Sequence, residues 1–165
     1  MNGIINVDKP AGWTSQDVLN KLKGTFRKLD VKKIGHTGTL DPMATGLLTI
    51  CLGKATRIIE YLDGDIKAYQ CTMKLGMATD TLDITGEIIT TADFSFVTEN
   101  MIREAFARYT GVVSQVPPKY SALKLNGRPL YEYARSGQNI DVSIKKREIY
   151  IESIYISCIN LEEGM

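Results

Sequence analysis

The spacing of apolar residues changes repeatedly along this 165-residue chain, and this change limits the fold more than any other feature. Across residues 66–75 apolar and polar side chains alternate, which is the pattern of a strand with one buried face. After Thr14 and Ser15, two suitable helix caps, apolar residues return at the helical spacing, at Val18, Leu19, Leu22 and Phe26. The two patterns follow one another without a regular βαβ rhythm. They predict an α+β fold with a mainly antiparallel mixed sheet flanked by helices.

Other segments show the same two patterns. Strands are predicted at residues 3–7, 47–52 and 87–90, with one or two more within 144–161. Helices are predicted at residues 54–62, from a cap at Thr98 to an end at Gly111, and at 130–135 with an end at Gly137. The pair Asn126–Gly127 is a turn signal, but Pro129 favours a helix after it over a returning strand.

Composition excludes several classes of protein. Hydrophobic residues make up 44% and charged residues 24%, as in ordinary globular domains. No apolar run approaches the 20 or so residues of a membrane span, and the first residues lack the features of a secretory signal, so a cytoplasmic protein is expected. Three widely spaced cysteines and one histidine provide neither a disulfide framework nor a zinc site, and no metal is expected.

The chemistry is expected in a glycine-rich loop at residues 35–46, which carries His36, several threonines and the pair Asp41–Pro42. The chain has neither a phosphate-binding GxxxxGK[ST] motif nor a GxSxG motif, which argues against nucleotide binding and against serine-type nucleophilic catalysis. The reactive group that remains in the loop is a lone carboxylate. A carboxylate can act as a nucleophile or base at an anomeric sugar carbon. An Asp–Pro pair also begins ordinary surface turns, and the residues alone leave both interpretations open. Basic residues exceed acidic ones by nine to five in residues 1–60, which suits an anionic substrate or a solvated helix face.

Five segments resemble, in the same order, the catalytic domain of bacterial tRNA pseudouridine-55 synthases, the TruB-type family. They are NVDKPAGWTS, GHTGTLDPMATGLL, ICLGKATRIIEYL, KAYQCTMKLGMATDTLDITGEI and VPPKYSALKLNGRPLYEYARSG. The resemblance implies the pseudouridine synthase fold and isomerisation of the T-loop uridine of tRNA by C1′–N1 cleavage, base rotation and C1′–C5 bond formation. It implies the tRNA T-arm as partner, a monomer, and no cofactor. The alternative is a non-catalytic RNA-binding or tRNA-folding chaperone module.

The resemblance also implies roles for single residues. Asp41 is the catalytic aspartate, which either attacks the ribose C1′ of a flipped uridine or removes a ribose proton to give a glycal. Tyr69 packs on the target base and accepts the C5 proton, although by pattern alone it is a core aromatic residue. His36 contacts the RNA and helps to hold the flipped nucleotide. The remaining residues are Lys9 and Arg57 as phosphate contacts, and Thr39 and Pro42 as the frame of the Asp41 carboxylate.

Residues 1–165 are expected to form the N-terminal portion of the catalytic domain. The resemblance places the rest of that domain, including an arginine that pairs with the catalytic aspartate, and a C-terminal PUA-type RNA-binding domain beyond residue 165. An aspartate without its arginine loses orientation and charge pairing. The 165-residue portion is therefore expected to be inactive alone.

Overall fold

A computed structural model describes residues 1–62, 66–138 and 140–165 of the chain. The chain divides into two compact units, Met1–Tyr69 and Gln70–Met165, which are described separately. Every described strand pair is antiparallel and helices occur in both units, which confirms the α+β class with antiparallel pairing. The strands of these described ranges form four small sheets, one of three strands and three of two. No described helix is long and apolar enough to cross a membrane.

The first unit is built on a three-stranded sheet in the order β1-β3-β2. Its strands are β1 (Gly3–Lys9), β2 (Ile34–His36) and β3 (Gly46–Leu52), of which β2 was not predicted. Helix α1 (Ser15–Arg27) lies between β1 and β2 in sequence. A 3-10 helix (Gly53–Ile58) and a short helix α2 (Ile59–Leu62) follow β3 and correspond to the helix predicted at 54–62.

Helix α1 begins where the sequence predicts. Thr14 is the N-cap residue and forms a capping box with Asp17. The Thr14 hydroxyl accepts a hydrogen bond from the Asp17 backbone N–H, and the Asp17 carboxylate accepts one from the Thr14 backbone N–H. The apolar face of α1 packs on the sheet. The buried cluster is Val18, Leu19, Leu48, Ile50 and Leu52, with Ile5, Val7, Leu22, Phe26, Val31, Ile34 and Leu40 packed around it.

The strand predicted at residues 66–75 is wrong: residues 66–74 belong to no described helix or strand. Alternation shows which side chains would share a face, but a strand also needs a neighbour for its backbone hydrogen bonds. No described strand pairs with this segment, and its apolar side chains are exposed, Tyr69 to 74% and Met73 to 50%.

In its described residues the second unit contains three two-stranded ladders and two α-helices. In chain order its elements are β4 (Met77–Thr79), β5 (Ile88–Thr91), α3 (Glu99–Ala107), β6 (Gly111–Gln115), β7 (Lys124–Leu125), β8 (Arg128–Pro129), α4 (Leu130–Arg135), a 3-10 helix (Val142–Lys145) and β9 (Arg147–Ile151). Strand β4 pairs with β5, β6 with β9, and β7 with β8. The predicted strand at 87–90 and the helices after Thr98 and at 130–135 are confirmed within a few residues.

Two details of this unit differ from the prediction, and the prediction of one or two strands within residues 144–161 is confirmed by a single strand. Helix α3 already ends at Ala107, and Gly111, with φ of +88°, begins strand β6 instead of ending a helix. A strand, β8, does return after the Asn126–Gly127 turn. The strand tolerates Pro129 because this residue occupies its last position, and α4 starts immediately afterwards. Of residues 144–161 only Arg147–Ile151 form a strand, and it pairs with β6.

Candidate active site

The loop that carries Asp41 is fastened to the end of strand β1 by Lys9. The side chains of β1 alternate between the two faces of the sheet, and Lys9 falls on the buried face with Ile5 and Val7. Lys9 is fully buried. Its ammonium group donates hydrogen bonds to the carbonyl oxygens of Pro10 (3.0 Å), Trp13 (2.7 Å) and Pro42 (3.2 Å). An ammonium has three donors, so all three are used.

This burial has an electrostatic consequence. Removal from water lowers the pKa of Lys9, and the nearby Asp41 carboxylate opposes that shift by stabilising the charged ammonium. The predicted phosphate contact of Lys9 does not fit this placement, because the ammonium would have to leave three carbonyl groups to reach a phosphate. The structure gives Lys9 a positioning role at the loop.

A second anchor comes from helix α1. Ser15 is buried, and its hydroxyl accepts a hydrogen bond from the Leu40 N–H (2.9 Å) and donates one to the Leu40 carbonyl (3.3 Å). The Gly12 N–H adds a further bond to the Pro42 carbonyl (2.8 Å). Residues on both sides of Asp41 are therefore held by groups from β1, the turn after it, and α1.

Asp41 itself is exposed at the surface of this loop. Its backbone carbonyl accepts from the Ala44 N–H (3.0 Å), which closes a turn over residues 41–44. Within the described ranges no side chain donates a hydrogen bond to its carboxylate. Thr39 and Pro42, the residues predicted to frame the carboxylate, are also exposed on this loop. The backbone is held while the charged group remains open to a substrate.

His36 lies on β2, where it pairs with Ile50 of β3. The residue is half-buried, and its Nδ1 atom is buried without a hydrogen-bond partner in the described part of the chain. Burial lowers the pKa of His36, and a hydrogen bond with the Gly38 backbone works against that shift. The imidazole is therefore neutral at pH 7, which leaves its ring suited to contact with the face of a base.

Arg57 lies in the 3-10 helix after β3, at the other end of that strand from the loop. Seven strand residues span roughly 20 Å at about 3.3 Å per residue. Arg57 borders a cavity of about 280 Å³ whose lining also includes Lys32, Lys33 and Lys54, with Asp30 as the acidic member. The predicted phosphate contact is thus part of a basic surface, far from Asp41 along the sheet.

Tyr69 is the last residue of the first unit and is 74% exposed. In the described residues no hydrogen bond joins its phenol to Asp41. The structure therefore brings together Lys9, Thr39, Asp41 and Pro42 at the loop, and Arg57 lies beyond the other end of β3. The roles of Tyr69 at the base and of Asp41 in catalysis stay predictions.

Two loop anchors were missed from the sequence. Ser15 was considered only as a helix cap, and nothing in its spacing points to Leu40. For Lys9 a signal was present, because its even spacing from Ile5 and Val7 places it on the buried face of β1.

Comparison with known proteins supports the family resemblance that the sequence of this loop carries. The model of the TruB family pseudouridylate synthases, N-terminal domain, matches residues 27–163. The chain belongs to this family. Among its relatives, tRNA pseudouridine synthase B of Geotalea uraniireducens is 50% identical over 99% of this chain and 51% of its own length. That of Clostridium perfringens is 48% identical over 94% of this chain and 52% of its own length.

The chain spans about half the length of these curated relatives. One solved structure of a Cbf5-Nop10-Gar1 complex aligns with 74% of this chain and 31% of that chain, with 31% identity and a TM-score of 0.47. That score is too low to bear on the fold. Within the TruB family match lie His36, Thr39, Asp41, Pro42, Arg57 and Tyr69, whereas Lys9 lies before it. Among the described residues no group of three or more His, Cys, Asp or Glu side chains is placed to hold a metal ion.

Proposed function

We propose that the protein containing this chain is a tRNA pseudouridine synthase that isomerises a uridine of the T-loop, position 55. The observation that carries the proposal is the Asp41 carboxylate, exposed on a loop whose backbone is fixed on both sides, in a chain that matches the TruB family over residues 27–163. The named relatives are tRNA pseudouridine synthases, which supports tRNA as the substrate.

The reaction breaks the C1′–N1 bond of uridine and forms a C1′–C5 bond, with no change of oxidation state. Asp41 either attacks C1′ or takes a ribose proton to give a glycal, and both routes require an ionised carboxylate at the sugar. The bond cleavage develops positive charge at the sugar, which the carboxylate stabilises. The uracil anion is delocalised and leaves without a strong acid. After rotation C5 bonds to C1′, the C5 proton leaves with Tyr69 as the proposed acceptor, and N1 gains a proton.

The fixed groups around Asp41 favour this chemistry because they hold the backbone that carries the carboxylate before the substrate arrives. Lys9 holds the Pro42 carbonyl and Ser15 holds Leu40, so little ordering of the loop remains to be done on binding. A neutral His36 ring is suited to fill the gap that the flipped uridine leaves among the bases. We further propose that the enzyme is cytoplasmic and acts as a monomer on the tRNA T-arm.

The test is Asp41→Asn in the full-length protein, because the amide keeps the shape of the side chain and removes its charge and nucleophilicity. Pseudouridine formation should fall below detection, while the Kd for tRNA changes by less than about threefold. Glu60→Gln serves as the control, since Glu60 is an exposed carboxylate on α2 of the same unit. Undiminished product formation by Asp41→Asn would remove the aspartate from the mechanism. A wild type that binds tRNA without forming pseudouridine would instead favour a non-catalytic RNA-binding or tRNA-folding module.

A further inference from the structure

We propose that Trp13 is a stacking platform for one nucleobase next to the target uridine. The inference rests on the function proposed above and extends the site beyond the loop of Asp41. It rests on the juxtaposition of an exposed indole, a shallow cavity and a backbone that is tied to that loop.

The cavity has a volume of about 400 Å³ and is lined by Gly12, Trp13, Asp17 and Lys21. Trp13 is 39% exposed, so part of a large flat aromatic surface meets solvent there. Asp41 itself lines neither this cavity nor the one beside Arg57.

The backbone around Trp13 is fastened to the loop of Asp41. The Trp13 carbonyl accepts from the Lys9 ammonium, which also bonds the Pro42 carbonyl, and the Gly12 N–H donates to that same Pro42 oxygen. Gly12 has φ of +81°, a conformation that favours glycine and sets the turn. Trp13 is thus anchored to the residue that follows Asp41, and a strand with one nucleotide at Asp41 can place a neighbour over the indole.

The charges in the cavity favour a base over a phosphate. Asp17 is held by the Thr14 hydroxyl (2.6 Å) and N–H (2.9 Å), and these bonds lower the pKa of Asp17, so it stays ionised. A carboxylate repels a phosphate, whereas the face of a nucleobase is uncharged. Lys21, one turn along α1 from Asp17 in the lining of the same cavity, can then meet the phosphate at the edge of the stacked base. Aromatic stacking of this kind contributes strongly to the binding of unpaired nucleotides.

The experiment compares the full-length protein with Trp13→Ala and Trp13→Phe on tRNA and on a set of tRNAs that each carry one abasic nucleotide beside the target uridine. Trp13→Ala should weaken binding of unmodified tRNA by about tenfold, and Trp13→Phe by less, because phenylalanine keeps a stacking face. On one abasic tRNA the penalty of Trp13→Ala should disappear, because that RNA lacks the base that stacks. The control is Tyr61→Ala, an aromatic residue of the same unit that is 78% exposed and should bind like the wild type.

Fluorescence gives a second measurement. Trp13 is the single tryptophan of this chain, so the difference between wild type and Trp13→Ala reports on it alone. The fluorescence attributed to Trp13 should change when unmodified tRNA binds. It should stay unchanged when the abasic tRNA that lacks the stacking base binds. Equal binding by Trp13→Ala, or an equal penalty on every abasic tRNA, would overturn stacking and leave only a structural role. The proposed function fails separately, through a full-length wild type that binds tRNA without forming pseudouridine.

Discussion

The two units of the chain use similar sequence patterns with different results. In the first unit the apolar face of α1 covers the three-stranded sheet, and Ile50, Leu48 and Leu52 are almost fully buried. In the second unit the two-stranded ladders leave Ile89, Val112 and Tyr150 between 64% and 73% exposed. Among its described residues only Pro117, Leu130 and Gly164 are buried. A pattern of alternation shows which side chains share a face, and a covering element decides whether that face is buried.

The largest expected effect tests this difference directly. Leu52→Ala should lower the free energy of unfolding by about 2–5 kcal/mol, because it removes packed methyl groups and leaves a cavity. Ile89→Ala, at an exposed position of β5, should change it by less than about 0.5 kcal/mol. Urea denaturation of the full-length protein measures both. A large loss for Ile89→Ala would show that this face is covered in the longer protein, and the contrast between the units would disappear.

The next prediction compares the two ends of β3, with Lys9 beside its first residue and Arg57 beyond its last. Lys9→Met removes the ammonium that holds Pro42, so product formation should fall on the order of 10²-fold through loss of orientation at Asp41. The dependence of log Kd on log salt should not change, since the ammonium is buried. Arg57→Gln should instead reduce that slope by about 0.7, the effect of one phosphate contact with single-stranded RNA.

Lys28→Met, at an exposed lysine just after α1, is the control for loss of positive charge on the first unit. A reduced salt slope in Lys9→Met would restore the phosphate contact predicted from the sequence. An unchanged slope in Arg57→Gln would remove the basic surface beside it from the path of the RNA.

How far the sequence predicted the structure depends on the distance over which each contact acts. Helix α1 was predicted with its cap, because Thr14, Asp17 and the apolar spacing act within a few residues. Strand β2 was missed because three residues cannot display a period, and the 66–75 segment was wrong because its alternation has no described partner. The hairpin strand after Gly127 was missed because Pro129 was treated as a barrier although it stands at the strand end.

The candidate site shows the same limit. Asp41, Thr39 and Pro42 are close in sequence, and the structure places them together on one loop, whereas the bonds from Lys9 and Ser15 to that loop join residues 33 and 25 positions apart. No local pattern encodes such bonds. The alternation of β1 did indicate a buried Lys9, but only the folded chain shows that carbonyl oxygens satisfy its charge.

The smallest expected effect is a pH dependence of folding stability that His36 causes in the first unit, which holds the single histidine of this chain. Burial lowers the pKa of His36 below its usual 6.5, so as the pH falls below 6.5 the unfolded state takes up a proton before the folded state does. The folded state therefore loses stability between pH 7 and 5, and His36→Gln should lose less over the same range. Hydrogen exchange at pH 7 and pH 5 separates the units: protection of β1 and β3 should fall more in the wild type than in His36→Gln, while α3 shows no difference between the two proteins. An equal fall in both proteins would mean that carboxylates, and not the buried imidazole, set the acid sensitivity of the sheet.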